Sequence, residues 1–190
     1  METKNYFLRH HKSSNSGFGE GIENHKFWLM RGDKEPGSID EYDSKGKNFR
    51  YCHVGEKDED ILFDVTCDKV LTKGMKPHFQ DYDRTKAFLL SVCKFLNSGE
   101  ILKDTKGYYY ISEFCFGRDD FEKASYQIDF IRSDEERSNQ TRKDSGGFIN
   151  KATGDVALFD MFCVGQKMKT KRKKLMQQIC NACNQGVIMF

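Results

Sequence analysis

The chain has 190 residues, of which 37% are hydrophobic and 13% aromatic. A chain of this length and composition can bury a hydrophobic core without disulfides, which excludes an intrinsically disordered protein. The 31 basic and 29 acidic residues leave a net charge of only +2. The chain is therefore no polycation, and a nucleic-acid partner would have to bind a local basic patch.

The cysteines and the apolar runs indicate the cellular environment. Seven cysteines are scattered along the chain, an odd number that implies no disulfide framework and favours a reducing compartment. The N-terminus has no apolar signal core, and no apolar run approaches the length needed to cross a membrane. We therefore expect a soluble intracellular protein, cytoplasmic or nuclear, with no membrane partner.

The first 24 residues are predicted to form a flexible arm, and residues 25–190 a single domain with a basic C-terminal helix. Residues 12–21 (KSSNSGFGEG) are rich in Ser and Gly, which is typical of a loop. Residues 27–30 read as a short buried strand. Ser38-Ile39-Asp40-Glu41 matches a capping box and predicts the start of a short helical turn.

The rest of the chain mixes strand-like and helix-like patterns. Strands are predicted over 58–66, 107–116, 126–132 and 156–163, and helices over 83–97 and near 170–184. Residues 133–147 contain no apolar residue and predict a long exposed loop. No internal repeat is evident. This order predicts an α+β domain around a curved, mostly antiparallel sheet.

The chain lacks the motifs of the common catalytic and metal sites. It contains no H-E-x-x-H and no nucleophile elbow, so no catalytic triad can be assembled from the sequence. Cys180 and Cys183 form a C-x-x-C, but a zinc site would need a second pair of ligands, so buried thiols are the favoured interpretation. We predict no catalytic residue, no metal ion and no cofactor.

A metal-dependent nuclease is a minor alternative. Such a site needs an acidic residue followed along a strand by acid-x-Lys, so that the carboxylates hold a metal ion. Asp64 and the pair Asp68-Lys69 have the right residue types, but no residue separates the second acid from the lysine. The spacing therefore argues against a nuclease.

A basic run near the C-terminus is the strongest charge feature of the sequence. It can neutralise several phosphates and release their counterions. It can equally be a nuclear-import signal or a solvated helix start. Its members are Lys167, Lys169, Lys171, Arg172, Lys173 and Lys174.

Several segments resemble, in kind and order, the first third of EVE domains, which belong to the PUA-like superfamily together with YTH domains. These segments are KFWLMRG (26–32), GSIDEY (37–42) and KNFRYCHVGEKDEDILF (47–63). SYQIDFIR (125–132) and GYYYISEF (107–114) resemble later strands of the same family. The resemblance implies a curved, mostly antiparallel PUA-like β-barrel with flanking helices.

The resemblance also implies a pocket for a modified base, for example a methylated one, in DNA or RNA. A base flipped out of its stack would be held by aromatic faces and read by hydrogen bonds. Trp28, Ser38, Asn48 and Phe49 are the implied pocket residues, and Arg31, Arg50 and the basic run 167–174 the implied phosphate-binding residues. The alternative is that Trp28 fills the hydrophobic core, because a single tryptophan lies in the core more often than it lines a ligand pocket.

Three functions therefore stand as hypotheses. The first is a non-enzymatic nucleic-acid-binding module that reads a modified base. The second is an interaction protein, such as a phage or host-defence factor that binds another protein. The third is the nuclease described above.

Overall fold

A computed structural model describes residues 5–13, 21–41, 61–77, 79–116, 124–141, 149–150 and 154–190. The chain forms two compact units. Unit 1 comprises Met1–Gly99 together with Phe190, and unit 2 comprises Glu100–Met189. Each unit has its own sheet and its own helix, and we describe each by itself.

The sheet of unit 1 is built on three long antiparallel strands. They are β1 (Asn5–Ser13), β2 (Ile22–Gly32) and β4 (Ile61–Val70), with β2 in the middle. Two short parallel strands extend the sheet, β3 (Ile39–Glu41) beside β1 and β5 (Gln80–Asp81) beside β4. The strand order is therefore β3-β1-β2-β4-β5.

Helix α1 (Tyr82–Ser98) covers one face of this sheet. It begins where the Asp81 side chain accepts a hydrogen bond from the backbone N–H of Arg84, and it ends at Gly99, whose φ of 71° suits a glycine. The Tyr82 ring packs near Phe27 on the sheet, with 5.7 Å between ring centroids. Successive strand residues point to opposite faces, so Trp28 lies on the face away from α1.

Unit 2 has the same organisation. Its long antiparallel strands are β6 (Gly107–Phe116), β7 (Ser125–Arg137) and β10 (Asp155–Val164), with β7 in the middle. The short strands are β8 (Gln140–Thr141), parallel to β6, and β9 (Ile149–Asn150), antiparallel to β10. Helix α2 (Gln166–Asn184) follows β10 and packs on β6, β7 and β10.

The two units are structural repeats of each other. In both, three antiparallel strands precede a helix, and the first strand pairs with a short parallel strand. The register between the second and third long strands shifts at Leu62 in unit 1 and at Leu158 in unit 2. Both leucines begin the pattern Leu-Phe-Asp-x-x-Cys, over 62–67 and over 158–163. The expectation of no internal repeat is therefore wrong.

A second pattern, Cys-x-x-x-Asn-x-Gly, ends both helices, over 93–99 and over 180–186. The Asn97 carboxamide accepts from the N–H of Tyr6 and donates to its carbonyl, both at 2.8 Å. The Asn184 carboxamide accepts from the N–H of Tyr109 at 2.9 Å and donates to its carbonyl at 2.8 Å. In each unit this side chain joins the end of the helix to the first strand.

The α+β class is confirmed, with most residues of regular structure in mostly antiparallel strands. The described strands form two open sheets and no closed barrel. The predicted strands over 107–116, 126–132 and 156–163 correspond to β6, β7 and β10, and the predicted helices to α1 and α2. Neither described helix is long and apolar enough to cross a membrane.

Three local expectations differ from the structure. Residues 5–13, expected in the flexible arm, form β1, which pairs with β2 along its whole length and buries Phe7 and Leu8. Residues 39–41, expected to start a helical turn, form β3, and the Ser38 hydroxyl donates to the carbonyl of Glu35. Residues 133–137, expected in a loop, continue β7. Residues 140–141 of that loop form β8, and residues 142–147 lie outside the described residues.

Candidate nucleic-acid interface

An exposed aromatic pair lies at one end of the sheet of unit 2, on the face away from α2. Phe116 on β6 and Phe162 on β10 have ring centroids 6.2 Å apart and ring planes inclined by 28°. Their residues are 37% and 57% exposed. Ser125 on the intervening strand pairs with Phe116, and its small side chain leaves room for both rings above β7. The ring centroids of Phe114 and Phe116 are 4.7 Å apart, and the two rings meet edge to face.

The fold itself does not require aromatic rings at this place. The register of the long strands makes Ser13 of unit 1 equivalent to Phe116, and Thr66 equivalent to Phe162. Unit 1 therefore forms the same strand pairing with a serine and a threonine at these two positions. Exposed clustered aromatic rings are a hallmark of binding surfaces, whereas scattered single ones are ordinary.

A carboxamide and a buried carboxylate lie next to the aromatic pair. Gln127 on β7 pairs with Phe114 on one side and with Phe162 on the other, so it shares their face of the sheet. Its Nε2 donates to Oδ1 of Asp129 at 2.8 Å. Asp129 is only 3% exposed, whereas Gln127 is partly exposed. Asp160 on β10 pairs with Asp129 across the strands.

Two residues of the basic run form ion pairs with the sheet. Lys169 Nζ and Lys173 Nζ lie 2.8 and 2.7 Å from the two carboxylate oxygens of Glu113 on β6. Burial raises the pKa of Glu113, but the hydrogen bonds and charges of the two lysines outweigh it and hold the pKa below its ordinary value of 4.5. Lys169 also lies over the Tyr126 ring, 4.7 Å from its centroid.

Three other lysines of the run form an exposed stripe on α2. Lys167, Lys171 and Lys174 are spaced by four and three residues, which places them on one helix face. Within the described part of the chain, none of the three forms an ion pair. The stripe points away from the sheet, because the buried helix positions such as Met176 and Cys180 lie on the opposite side. Arg172 donates to the carbonyl oxygen of Phe162 and so ties α2 to β10.

The structure gives Trp28 a buried position. The residue is 3% exposed and belongs to a cluster with Phe7, Met30 and Ile61. The Lys26 ammonium lies 5.5 Å from the centroid of the Trp28 ring. With so little of the ring exposed, this geometry favours the core role of Trp28 over a role as pocket wall.

The other implied pocket residues are not brought together with Trp28 in the described part of the chain. Ser38 lies in the turn before β3, where it bonds Glu35. Arg31 is exposed, with its guanidinium 5.6 Å from the centroid of the Tyr6 ring. Asn48, Phe49 and Arg50 lie outside the described residues.

Unit 1 places a histidine pair where unit 2 has the Glu113 contact. His10 and His25 are 6% and 4% exposed, and His10 Nε2 lies 2.9 Å from His25 Nδ1. The Nδ1 atom of His10 is 2.7 Å from a Glu41 carboxylate oxygen, and His25 Nε2 is 3.4 Å from a Glu23 oxygen. Burial, followed by the charge of His10, lowers the pKa of His25 below 6.5.

The carboxylates of the nuclease hypothesis have other contacts. Asp64 is ion-paired with Lys26 at 2.6 Å, and Asp68 accepts from Asn24 and from the backbone N–H of Phe79. No group of three or more His, Cys, Asp or Glu suited to a metal ion occurs among the described residues. Cys180 and Cys183 are free and buried, as predicted, and burial raises the pKa of Cys183 to about 12.

Sequence reasoning missed Phe116, Phe162 and Gln127. The strands that carry them were predicted, and strict alternation would have put Phe162 on the opposite face from Met161 and Cys163. Both faces of that strand are apolar, however, so alternation does not reveal which face is exposed. Comparison with models of known protein families, with curated proteins and with solved structures finds no match.

Proposed function

We propose that the chain is a non-enzymatic nucleic-acid-binding module that stacks an unpaired base on Phe116 and Phe162. The observation that carries the proposal is the exposed, nearly parallel pair of rings on unit 2, at positions where unit 1 has Ser13 and Thr66. Stacking of a base on an aromatic side chain contributes about 1–3 kcal/mol. Single-stranded segments and flipped bases are the nucleic acids that offer such a base.

We assign a phosphate contact near this site to Lys167, the first residue of the exposed lysine stripe. Lys167 follows Val164 by three residues, so its Cα lies within about 11 Å of the Cα of Val164, at the aromatic end of the sheet. Lys171 and Lys174 follow along the same helix face, about 6 and 10 Å further along the axis. A strand that stacks on the rings and continues past the end of the sheet can therefore reach Lys167, whereas Lys171 and Lys174 lie on the outer side of α2, opposite the face that carries the rings. Asp129 and Asp160 keep the phosphates off the sheet face itself by like-charge repulsion.

The resemblance to EVE domains supports the choice of ligand class and adds a modified base to the proposal, in either DNA or RNA. In this proposal the base contacts move from Trp28, which is buried, to the exposed pair on unit 2. A PUA-like barrel likewise stands as a hypothesis that accompanies the resemblance. The proposed site holds the base by stacking and hydrogen bonding and carries out no reaction on it.

Fluorescence polarisation with labelled oligonucleotides tests the proposal. Single-stranded DNA, single-stranded RNA and duplex DNA are titrated at low and moderate salt, each with and without a methylated base. The decisive variant combines Phe116→Ser and Phe162→Thr, the residues that unit 1 carries at the equivalent positions. The matched control is Tyr108→Ser, which removes a 53% exposed ring at the far end of β6.

We expect the double variant to bind a single strand about 5- to 150-fold more weakly than the wild type, with the control unchanged. Lys167→Gln should reduce the slope of log affinity against log salt by about 1. Equal affinity of wild type and double variant would refute the stacking site. If no oligonucleotide binds at low salt, the exposed rings instead favour the interaction-protein hypothesis.

A further inference from the structure

Gln127 is placed to read the base that stacks on the aromatic pair, and this inference rests on the proposed function. It pairs across the strands with Phe114 and Phe162, and it precedes Asp129 on the same face of β7. The residue is partly exposed, and its register places it on the same face of the sheet as the rings. In the equivalent position unit 1 has Lys26, which shows that the sheet tolerates a different polar side chain there.

The hydrogen bond to Asp129 fixes the orientation of this carboxamide. The Asp129 carboxylate, which is 3% exposed, accepts hydrogen bonds and donates none when it is ionised. It therefore binds the amide nitrogen of Gln127 and not the amide oxygen. One N–H of Gln127 is thereby directed to Asp129 at 2.8 Å. The second N–H of the Gln127 carboxamide and its Oε1 then lie side by side, as one donor next to one acceptor.

We propose that Gln127, oriented by Asp129, makes the site prefer adenine. Adenine presents an N6 amino donor beside the N7 acceptor, the pair of groups that a glutamine carboxamide binds in a bidentate manner. Gln127 reads this N6 and N7 edge, on which cytosine and thymine carry no ring-nitrogen acceptor. Guanine presents two acceptors, O6 and N7, on the corresponding edge, so one of them would face Oε1 without a proton between them.

The test compares single strands that differ only in a central base: adenine, cytosine, guanine, thymine, purine without the N6 amino group, and 7-deaza-adenine without N7. Gln127→Met keeps the approximate volume of the side chain and removes both polar groups. Gln127→Ala serves as a second variant, and circular dichroism checks the fold of each.

The expected result is that adenine binds about 5- to 150-fold more tightly than thymine, and that purine and 7-deaza-adenine both lose this preference. In Gln127→Met the preference should disappear while thymine binding stays unchanged. If all bases bind equally but Phe162→Thr still weakens binding, adenine reading is refuted and the stacking site stands. If no strand binds at all, both the adenine inference and the proposed function fail.

Discussion

The contact between Glu113 and the two lysines of α2 allows a quantitative test of how unit 2 holds its helix. The Glu113 side chain is 8% exposed, Lys169 is 15% exposed and Lys173 is 42% exposed. Glu113→Gln removes the negative charge and leaves Lys169 desolvated without a counter-ion. Truncating one member of a buried ion pair costs about 3–5 kcal/mol, and we take the lower end because Lys173 can move into solvent.

Substitutions in this contact should lower the free energy of unfolding by very different amounts. Glu113→Gln should lower the free energy of unfolding by about 3 kcal/mol. Lys173→Met should lower it by less than about 1 kcal/mol, because Lys169 still pairs with Glu113 and an exposed ion pair contributes little. The double variant Glu113→Leu with Lys169→Met should be more stable than Glu113→Gln, because apolar side chains often replace a buried ion pair without loss.

Urea denaturation followed by far-UV circular dichroism measures these differences, and the midpoints are compared at constant slope. Fluorescence of Trp28, the single tryptophan, reports on unit 1 in the same experiment. The reasoning is refuted if Lys173→Met costs as much as Glu113→Gln, or if the double variant is the least stable of the three. The native pKa of Glu113 is lowered, so its contribution should be complete above pH 4.5 and disappear as the pH falls through the native pKa.

Two further predictions concern polar contacts within the two units. Because burial lowers the pKa of His25, the unfolded chain binds a proton more readily, so stability should fall as the pH drops below 6.5. His25→Gln should flatten this dependence in pH-resolved thermal melts, and an unchanged curve would contradict the assignment. Asn184→Ala should lower the free energy of unfolding by about 1–3 kcal/mol, because it leaves the N–H and the carbonyl of Tyr109 without their partner. Asn184→Asp keeps the acceptor alone, so in urea denaturation it should fall between wild type and Asn184→Ala.

Local periodicity was sufficient to predict most elements of the fold. The aromatic-rich run GYYYISEFCF forms β6, and the apolar stripe of residues 83–97 forms α1. The Ser38 capping box failed for a tertiary reason. The backbone of this segment bonds β1, with the N–H of Gly37 donating to Tyr6 and the N–H of Leu8 donating to Ser38. A long-range strand pairing therefore overrides a local pattern that fits a helix start.

The candidate site was harder to predict than the fold, because a residue type does not reveal which side of a sheet is covered. Trp28 and Phe162 both lie in apolar strands, on the face away from the helix of their own unit, yet Trp28 is 3% exposed and Phe162 is 57% exposed. The internal repeat was equally hidden. Its clearest identities are confined to a bulge and a helix end, and most other equivalent positions carry different residues.

The repeat makes the chain its own control for the functional argument. Residues that the fold needs should recur in both units, and the third long strands do share Leu-Phe-Asp-x-x-Cys and its bulge. Residues that differ at equivalent places are free to serve a function of one unit alone. Phe116, Phe162 and Gln127 belong to this second group, since unit 1 has Ser13, Thr66 and Lys26 there. Transfer of Thr66→Phe alone into unit 1 should therefore leave binding unchanged, whereas Phe162→Thr in unit 2 should weaken it.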